Sequence, residues 1–162
     1  MKIYKEQYNT YIDAVIEKLA KTEWIKDVEN IITMARGGLI LSQYISYEFD
    51  IKKVHSFGIS SYENDQQQDA LNIYQELTHN FSGQNPVLVV DDLFDTGRTF
   101  LYVYSRLYPY FQTSSFRFTD SVCNPKIYSA AMFVKSHAKI KPDVYIEEVP
   151  SDEWIIFPYD KT

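Results

Sequence analysis

The stretch Val87-Leu88-Val89-Val90-Asp91-Asp92-Leu93-Phe94-Asp95-Thr96-Gly97-Arg98-Thr99 passes from a buried strand to the start of a helix. Four consecutive aliphatic residues predict a strand covered on both faces. Two acids end it. A third acid, a glycine and two threonines follow, and then Phe100, Val103, Tyr104 and Leu107 fall on one helix face. Open α/β sheets place ligands in this kind of crevice, beyond the carboxyl ends of strands. Helix amino ends attract phosphate because unpaired N–H groups and the helix dipole point at it. The acids suit ribose hydroxyls or a metal, and the Thr96-Gly97-Arg98-Thr99 turn suits a phosphate. The loop reads as a holder for a sugar phosphate. The plainer alternative is a buried strand followed by a polar turn.

On the amino-terminal side, Ile31-Ile32-Thr33-Met34 predicts a second short buried strand, Ala35-Arg36-Gly37-Gly38 a tight loop, and Leu39 to Phe49 a helix. Asn9 and Thr10 stand before Ile12, Val15, Ile16 and Leu19, which share a helix face expected to pack on the sheet. Val54 to Ser60 predicts a further strand. Ser61 to Gly83 is polar, and a connection of that length is either a binding loop or a solvated hairpin. Pro109 is expected to stop the helix that begins near Arg98. Phe116 to Phe118, Met132 to Lys135 and Val144 to Val149 predict later strands. Strands alternating with helices imply an α/β fold, a mainly parallel sheet flanked by helices.

The chain has 162 residues, which favours one domain able to bury its own core. Its hydrophobic fraction is 45%, which argues against disorder. A formal net charge of -6 argues against a nucleic-acid coat or an anionic-membrane binder, while leaving local phosphate binding possible. No apolar run is long enough to span a membrane, and Met1 to Glu6 lack a signal-peptide pattern. Cys123 is the only cysteine, so the expected setting is the cytoplasm. With 14 Tyr and 10 Phe, part of the aromatic content is expected at a subunit interface of a homo-oligomer; the alternative is that it fills the core. His55, His79, His137 and Cys123 show no metal-site spacing and receive no role.

The run from Val87 to Thr99 resembles the phosphoribosyl diphosphate (PRPP) signature of type I phosphoribosyltransferases. Arg36-Gly37-Gly38 resembles the pyrophosphate loop of that family. Ser60-Ser61-Tyr62-Glu63-Asn64-Asp65-Gln66 is similar to the mobile catalytic loop of bacterial xanthine-guanine phosphoribosyltransferases. Lys135, Pro150 to Ile155 and Pro158-Tyr159-Asp160 resemble the purine-binding end of those 6-oxopurine enzymes. The resemblance implies a type I phosphoribosyltransferase fold in a single domain over 1–162. Its core would span about 28–135, a flexible loop about 61–83, and a small C-terminal hood about 136–162.

The implied reaction moves a phosphoribosyl group from PRPP to N9 of guanine, xanthine or hypoxanthine and releases pyrophosphate, with magnesium (Mg2+) as cofactor. Asp91 and Asp92 would hold the ribose hydroxyls, with Asp92 as the metal contact, partly through water. Asp95 would be the general base. Thr96, Gly97, Arg98 and Thr99 would cradle the 5′-phosphate, and Arg36 and Gly37 would hold pyrophosphate. Lys135 would meet the exocyclic oxygen, Trp154 would stack on the base, and the Ile155 main chain would read the purine edge. Taken singly, Lys135 reads as a surface charge and Trp154 as core. Asp160 reads either as support for a metal-bound water or as a surface turn.

There are departures from the family pattern. Arg98 replaces a glycine of the close relatives, Ile156 replaces an acid near the base, and about Tyr110 to Ala130 is longer. Three rival readings remain: a PRPP- or nucleotide-binding regulator of this fold without turnover, a transferase for orotate, uracil or adenine, and a phosphatase reading of Asp92-Leu93-Phe94-Asp95-Thr96. The motif of the third usually lies near the amino end with acids well downstream, and here little chain remains after it.

Overall fold

The computed structural model describes residues 1–63, 66–77, 81, 85–111 and 127–160. The strand expected over Phe116 to Phe118, with Cys123 and His79, lies outside the described residues. In chain order the elements are α1 (Lys5–Ala20), a short 3-10 turn (Ile25–Asp27), β1 (Asn30–Ala35), α2 (Gly38–Glu48), β2 (Lys53–Glu63) and β3 (Gln66–Gln75). Then come β4 (Val87–Val90), β5 (Leu93–Phe94), α3 (Arg98–Phe111), β6 (Ile127–Ala130), β7 (Phe133–Lys135) and β8 (Glu147–Val149).

The main sheet runs β3-β2-β1-β4-β6. Its β2-β1-β4-β6 portion is parallel, and β3 is antiparallel at one edge. The central strands β1 and β4 are buried on both faces, and their side chains alternate. Ile31, Leu88 and Val90 pack with Ile12 and Val15 of α1 and Leu41 and Ile45 of α2. Ile32, Met34, Val87 and Val89 pack with Val103 and Leu107 of α3. This is why the Val87 run is apolar throughout rather than alternating. A second parallel sheet, β5-β7-β8, carries the carboxyl-terminal segment. The amino terminus is stitched to it: Ile3 N–H donates to Ile156 O, and Ile156 N–H donates to Met1 O, each at 2.9 Å.

Several elements differ from the sequence expectation. Helix α1 starts at Lys5, a turn before Asn9, because Tyr4 N–H donates to Gln7 Oε1 at 3.0 Å and caps the earlier start. Helix α3 runs past Pro109 to Phe111. A proline so near a helix end removes one bond to the carbonyl a turn back and leaves little helix to break. The polar stretch after Ser60 continues β2 and returns as β3, so its first part forms an antiparallel hairpin. Leu93 and Phe94 are a two-residue strand rather than plain loop.

Strand β6 was not expected, since Ile127-Tyr128-Ser129-Ala130 has little β-branched content. The expected strand over Val144 to Val149 divides. Val144 makes a single bridge to Ala130 in the main sheet, and only Glu147–Val149 joins β7. Here the chain crosses from one sheet to the other.

Ser129, almost wholly buried in β6, is satisfied by Asp143. The Asp143 carboxylate accepts Ser129 N–H at 2.7 Å and Ser129 Oγ–H at 2.9 Å. Asp143→Ala leaves both donors unpaired and is expected to destabilise the fold by about 1–3 kcal/mol in urea titration. An unchanged midpoint would show that water reaches Ser129.

Candidate functional site

The strand order reverses direction between β1 and β4. From β1 the chain goes to β2 on one side, and later returns to β4 on the other. Such a switch point leaves a crevice at the strands' carboxyl ends. In this chain β1 ends at Arg36-Gly37 and β4 ends at Asp91-Asp92. A cleft of about 1300 Å³ lies there. Two helices begin on its wall, α2 after Gly37 and α3 after Gly97. Their first-turn amides lack helical partners, so two positive dipole ends meet in one cleft.

The loops are held by backbone bonds. Asp91 N–H donates to Ala130 O at 3.1 Å, and Met132 and Phe133 N–H donate to Asp92 O at 3.2 and 3.1 Å. Gly97 has φ +82, a conformation that glycine adopts without strain. Leu101 N–H donates to Gly97 O at 3.0 Å as α3 starts, and Arg98 N–H donates to Thr96 Oγ1 at 3.3 Å. The Ala35–Arg36 peptide bond is cis.

Of the residues expected in the site, Arg36, Gly37, Asp91, Asp92, Asp95, Thr96, Gly97 and Thr99 share the cleft wall. Arg98, Lys135, Trp154 and Ile155 are not on that wall. Lys135 is buried, and its Nζ donates to Pro150 O at 3.2 Å and to Glu153 O. It therefore ties down the turn that leads to Trp154 and Ile155. Trp154 is 53% exposed, and the Ile155 side chain is in the core. The three residues expected at the base therefore stand together and outside the cleft lining.

Tyr159 and His137, to which the sequence assigns no role, and Asp160, for which it leaves two readings open, also reach the site. Tyr159 lines the cleft and its hydroxyl donates to Asp92 Oδ2. Its ring stacks on Phe157 at 5.3 Å and meets the edge of Tyr8 at 5.7 Å. His137 Nε2 lies 3.0 Å from Asp95 Oδ1. Asp160 is on the wall, and its Oδ2 accepts Phe157 N–H at 2.8 Å, the turn-forming role.

The acid pair is electrostatically loaded. Burial first, and then the neighbouring Asp92 charge, pushes the Asp91 carboxyl well above the usual carboxylate range. Burial also raises Asp92, against the downward pull of the Tyr159 hydroxyl. Burial and the Asp92 charge raise the Tyr159 phenol, which keeps it a donor.

A carboxyl raised by folding binds its proton longer in the folded chain than in the unfolded one. Stability therefore falls as pH climbs from the unfolded value to the raised one, and the full cost stands above that window. Asp91→Asn removes the charge. Its thermal midpoint is expected to exceed the parent's at about pH 8, with the gap closing towards about pH 4. A gap that does not depend on pH would show that the carboxyl's environment carries no such cost.

A doubly covered parallel sheet with an acid pair and two helix amino ends at its switch point defines an α/β protein with an anion-binding cleft. The phosphoribosyl transferase domain model matches residues 4–160, and the chain belongs to that family. It is 30% identical over 132 residues to a xanthine-guanine phosphoribosyltransferase of Idiomarina loihiensis, covering 82% of this chain and 71% of that one. It is 31% identical over 135 residues to the protein of the same name from Chromohalobacter salexigens, covering 83% and 70%.

Among solved structures, a purine phosphoribosyltransferase from Pyrococcus horikoshii superposes with a TM-score of 0.75 at 23% identity, covering 100% of this chain and 95% of that one. A Helicobacter pylori xanthine-guanine-hypoxanthine phosphoribosyltransferase gives 0.72 at 25% identity, covering 96% and 90%. Among the described residues no helix is long and apolar enough to cross a membrane.

Proposed function

We propose that this chain transfers a phosphoribosyl group from PRPP to N9 of a 6-oxopurine and releases pyrophosphate, as a cytoplasmic salvage enzyme. The observation that carries this reading is the convergence of two helix amino ends on the Asp91–Asp92 pair in one cleft. Anionic groups at both ends of PRPP match the amino ends of α2 and α3. Arg36 and Gly37 bind pyrophosphate, and Thr96, Gly97 and Thr99 bind the 5′-phosphate. Asp91 and Asp92 accept the ribose hydroxyls. Their negative charge favours the positive charge that develops on the ribose as its bond to pyrophosphate stretches. As C1′ leaves pyrophosphate and joins the purine nitrogen, the proton on that nitrogen goes to Asp95.

The acid pair fits Mg2+. Two crowded carboxylates lose repulsion when a cation joins them. Mg2+ keeps several waters and takes further ligands from substrate oxygens, so one or two carboxylates are enough to hold it. Asp92 would hold the ion, which when bound neutralises part of the diphosphate charge.

Lys135, Trp154 and Ile155 form the base site in this reading, with Trp154 turning onto the purine once it enters. Closure of the region that follows Ser60 keeps water from PRPP. The exposed rings of Tyr44, Tyr47 and Tyr74 are surface that a homo-oligomer would use.

Incubation with PRPP, Mg2+ and guanine, xanthine or hypoxanthine in turn, with nucleotide separated by chromatography, tests the reaction. Nucleotide from at least one base supports it, and binding without product overturns it. That second outcome would favour a PRPP-binding regulator. One observation favours such a regulator: Lys135 Nζ is already engaged by the Pro150 and Glu153 carbonyls.

A further inference from the structure

His137 belongs to no motif, yet its Nε2 lies 3.0 Å from Asp95 Oδ1. The meeting follows from strand register. Strands β5 and β7 are parallel, with Leu93 opposite Phe133 and Phe94 opposite Val134. The first residue after β5 therefore stands beside the turn that leaves β7. That turn is pinned on both sides of the histidine. Ser136 N–H donates to Val149 O and Ala138 N–H to Lys135 O, each at 2.9 Å. Ser136 Oγ shares a 2.9 Å hydrogen bond with Ser151 Oγ. Ala138 packs against Phe94, Ala131 and Val134. The side chains of Asp95 and His137 are 15% and 38% exposed, so the carboxylate is the more sheltered of the two.

We propose that His137 is a positioning residue for Asp95, its Nε2–H donated to Oδ1 and setting the plane of the carboxylate that receives the purine proton. The inference deepens the base role given to Asp95 above and rests on it. Nε2 faces a carboxylate oxygen, so the ring proton sits on that nitrogen. A carboxylate accepts at about four positions, so an imidazole bond at Oδ1 is compatible with receiving a proton. An aspartate turns about two single bonds, whereas proton transfer needs hydrogen-bond geometry. Fixing one oxygen removes that rotation before the substrate arrives. The proton passes from the purine nitrogen to Asp95, and the imidazole keeps its own.

Steady-state kinetics test this. His137→Ala is expected to lower kcat about tenfold while the KM for PRPP stays within about twofold, the pattern of a lost transition-state contact. His137→Gln, which still offers an N–H, recovers most of that loss. Placed in the Asp95→Asn background, His137→Ala changes kcat by less than about twofold, because two residues acting as a unit do not add.

An unchanged kcat in His137→Ala overturns the proposal, as does a tenfold loss that persists without the Asp95 carboxylate. A lowered thermal midpoint with no recovery in His137→Gln also overturns it, since the role is then structural. If the parent chain makes no nucleotide from any of the three purines, the base role of Asp95 falls and this inference falls with it. A working parent with an indifferent His137→Ala removes this inference alone.

Discussion

Asp95→Asn is expected to lower turnover about 100- to 1000-fold while PRPP affinity stays within about twofold, the usual range for losing a general base without losing a binding contact. Asn keeps the size and shape of Asp, and its amide oxygen can still take the place of Oδ1, which stands 3.0 Å from His137 Nε2. What it loses is the ability to take a proton at neutral pH. The loop around it is held by Gly97 and by the Thr96 side chain, which accepts the Arg98 amide. The anion cradle is therefore expected to survive the substitution. Calorimetry of PRPP binding with Mg2+, beside single-turnover nucleotide formation, separates the two quantities. Equal turnover in the variant and the parent removes Asp95 from the proton transfer. A matching loss of PRPP affinity would instead make it a ribose or phosphate contact.

Adjacency along the chain explains what was legible beforehand. Asp91, Asp92, Asp95, Thr96, Gly97 and Thr99 lie in one strand–loop–helix unit, and such a unit has few ways to fold. Arg36 and Gly37 lie in a second unit of the same kind. The two units become neighbours because β1 and β4 pair in parallel, with Thr33 opposite Val90. Alternating strands and helices predict that kind of pairing.

Residues brought in from elsewhere were not legible. Tyr159 reaches Asp92 because the last segment folds back over the first, through the Lys2–Ile156 bridge. His137 reaches Asp95 because Leu93-Phe94, which reads as loop, is a strand in register with Phe133-Val134. Strand β6 escaped notice because its place at the sheet edge rests partly on the Ser129–Asp143 bonds and on the Trp24–Tyr128 stack at 4.0 Å, none of which is a local propensity. For Lys135 the residue type reads as a surface charge and the resemblance implies a ligand contact, while burial gives its amine two main-chain partners.

The paired glycines at the head of α2 are expected to respond in opposite ways to the same added methyl group. At Gly38 a Cβ would overlap the Val90 carbonyl oxygen and lie 3.1 Å from Asp91 Cα. Both are main-chain atoms of the central strand and its exit, and neither can turn aside. Gly38→Ala must therefore lift α2 from β4, where Leu41 and Ile45 are fully buried. Overpacking of this kind costs about 2–3 kcal/mol. In a chain of this length that corresponds to a thermal midpoint lower by about 5–10 °C.

At Gly37 the added Cβ would overlap the carboxyl group of Asp92, a side-chain end that can rotate. Gly37→Ala is expected to keep the parent's midpoint to within about 2 °C, because what it disturbs is the rotatable end of a half-buried side chain rather than main chain of the core. It moves Asp92 off the Tyr159 hydroxyl and out of line with the ribose. A displacement of about 1 Å in a positioning group costs about 100-fold, and the loss is expected in PRPP affinity with Mg2+ present. Differential scanning calorimetry and PRPP titration on both variants make the comparison. If Gly37→Ala unfolds as early as Gly38→Ala, the tight loop is part of the core. If it binds PRPP like the parent, the close approach of Gly37 to Asp92 has no part in holding the activated sugar, and the pairing of β1 and β4 at the switch point serves the fold alone.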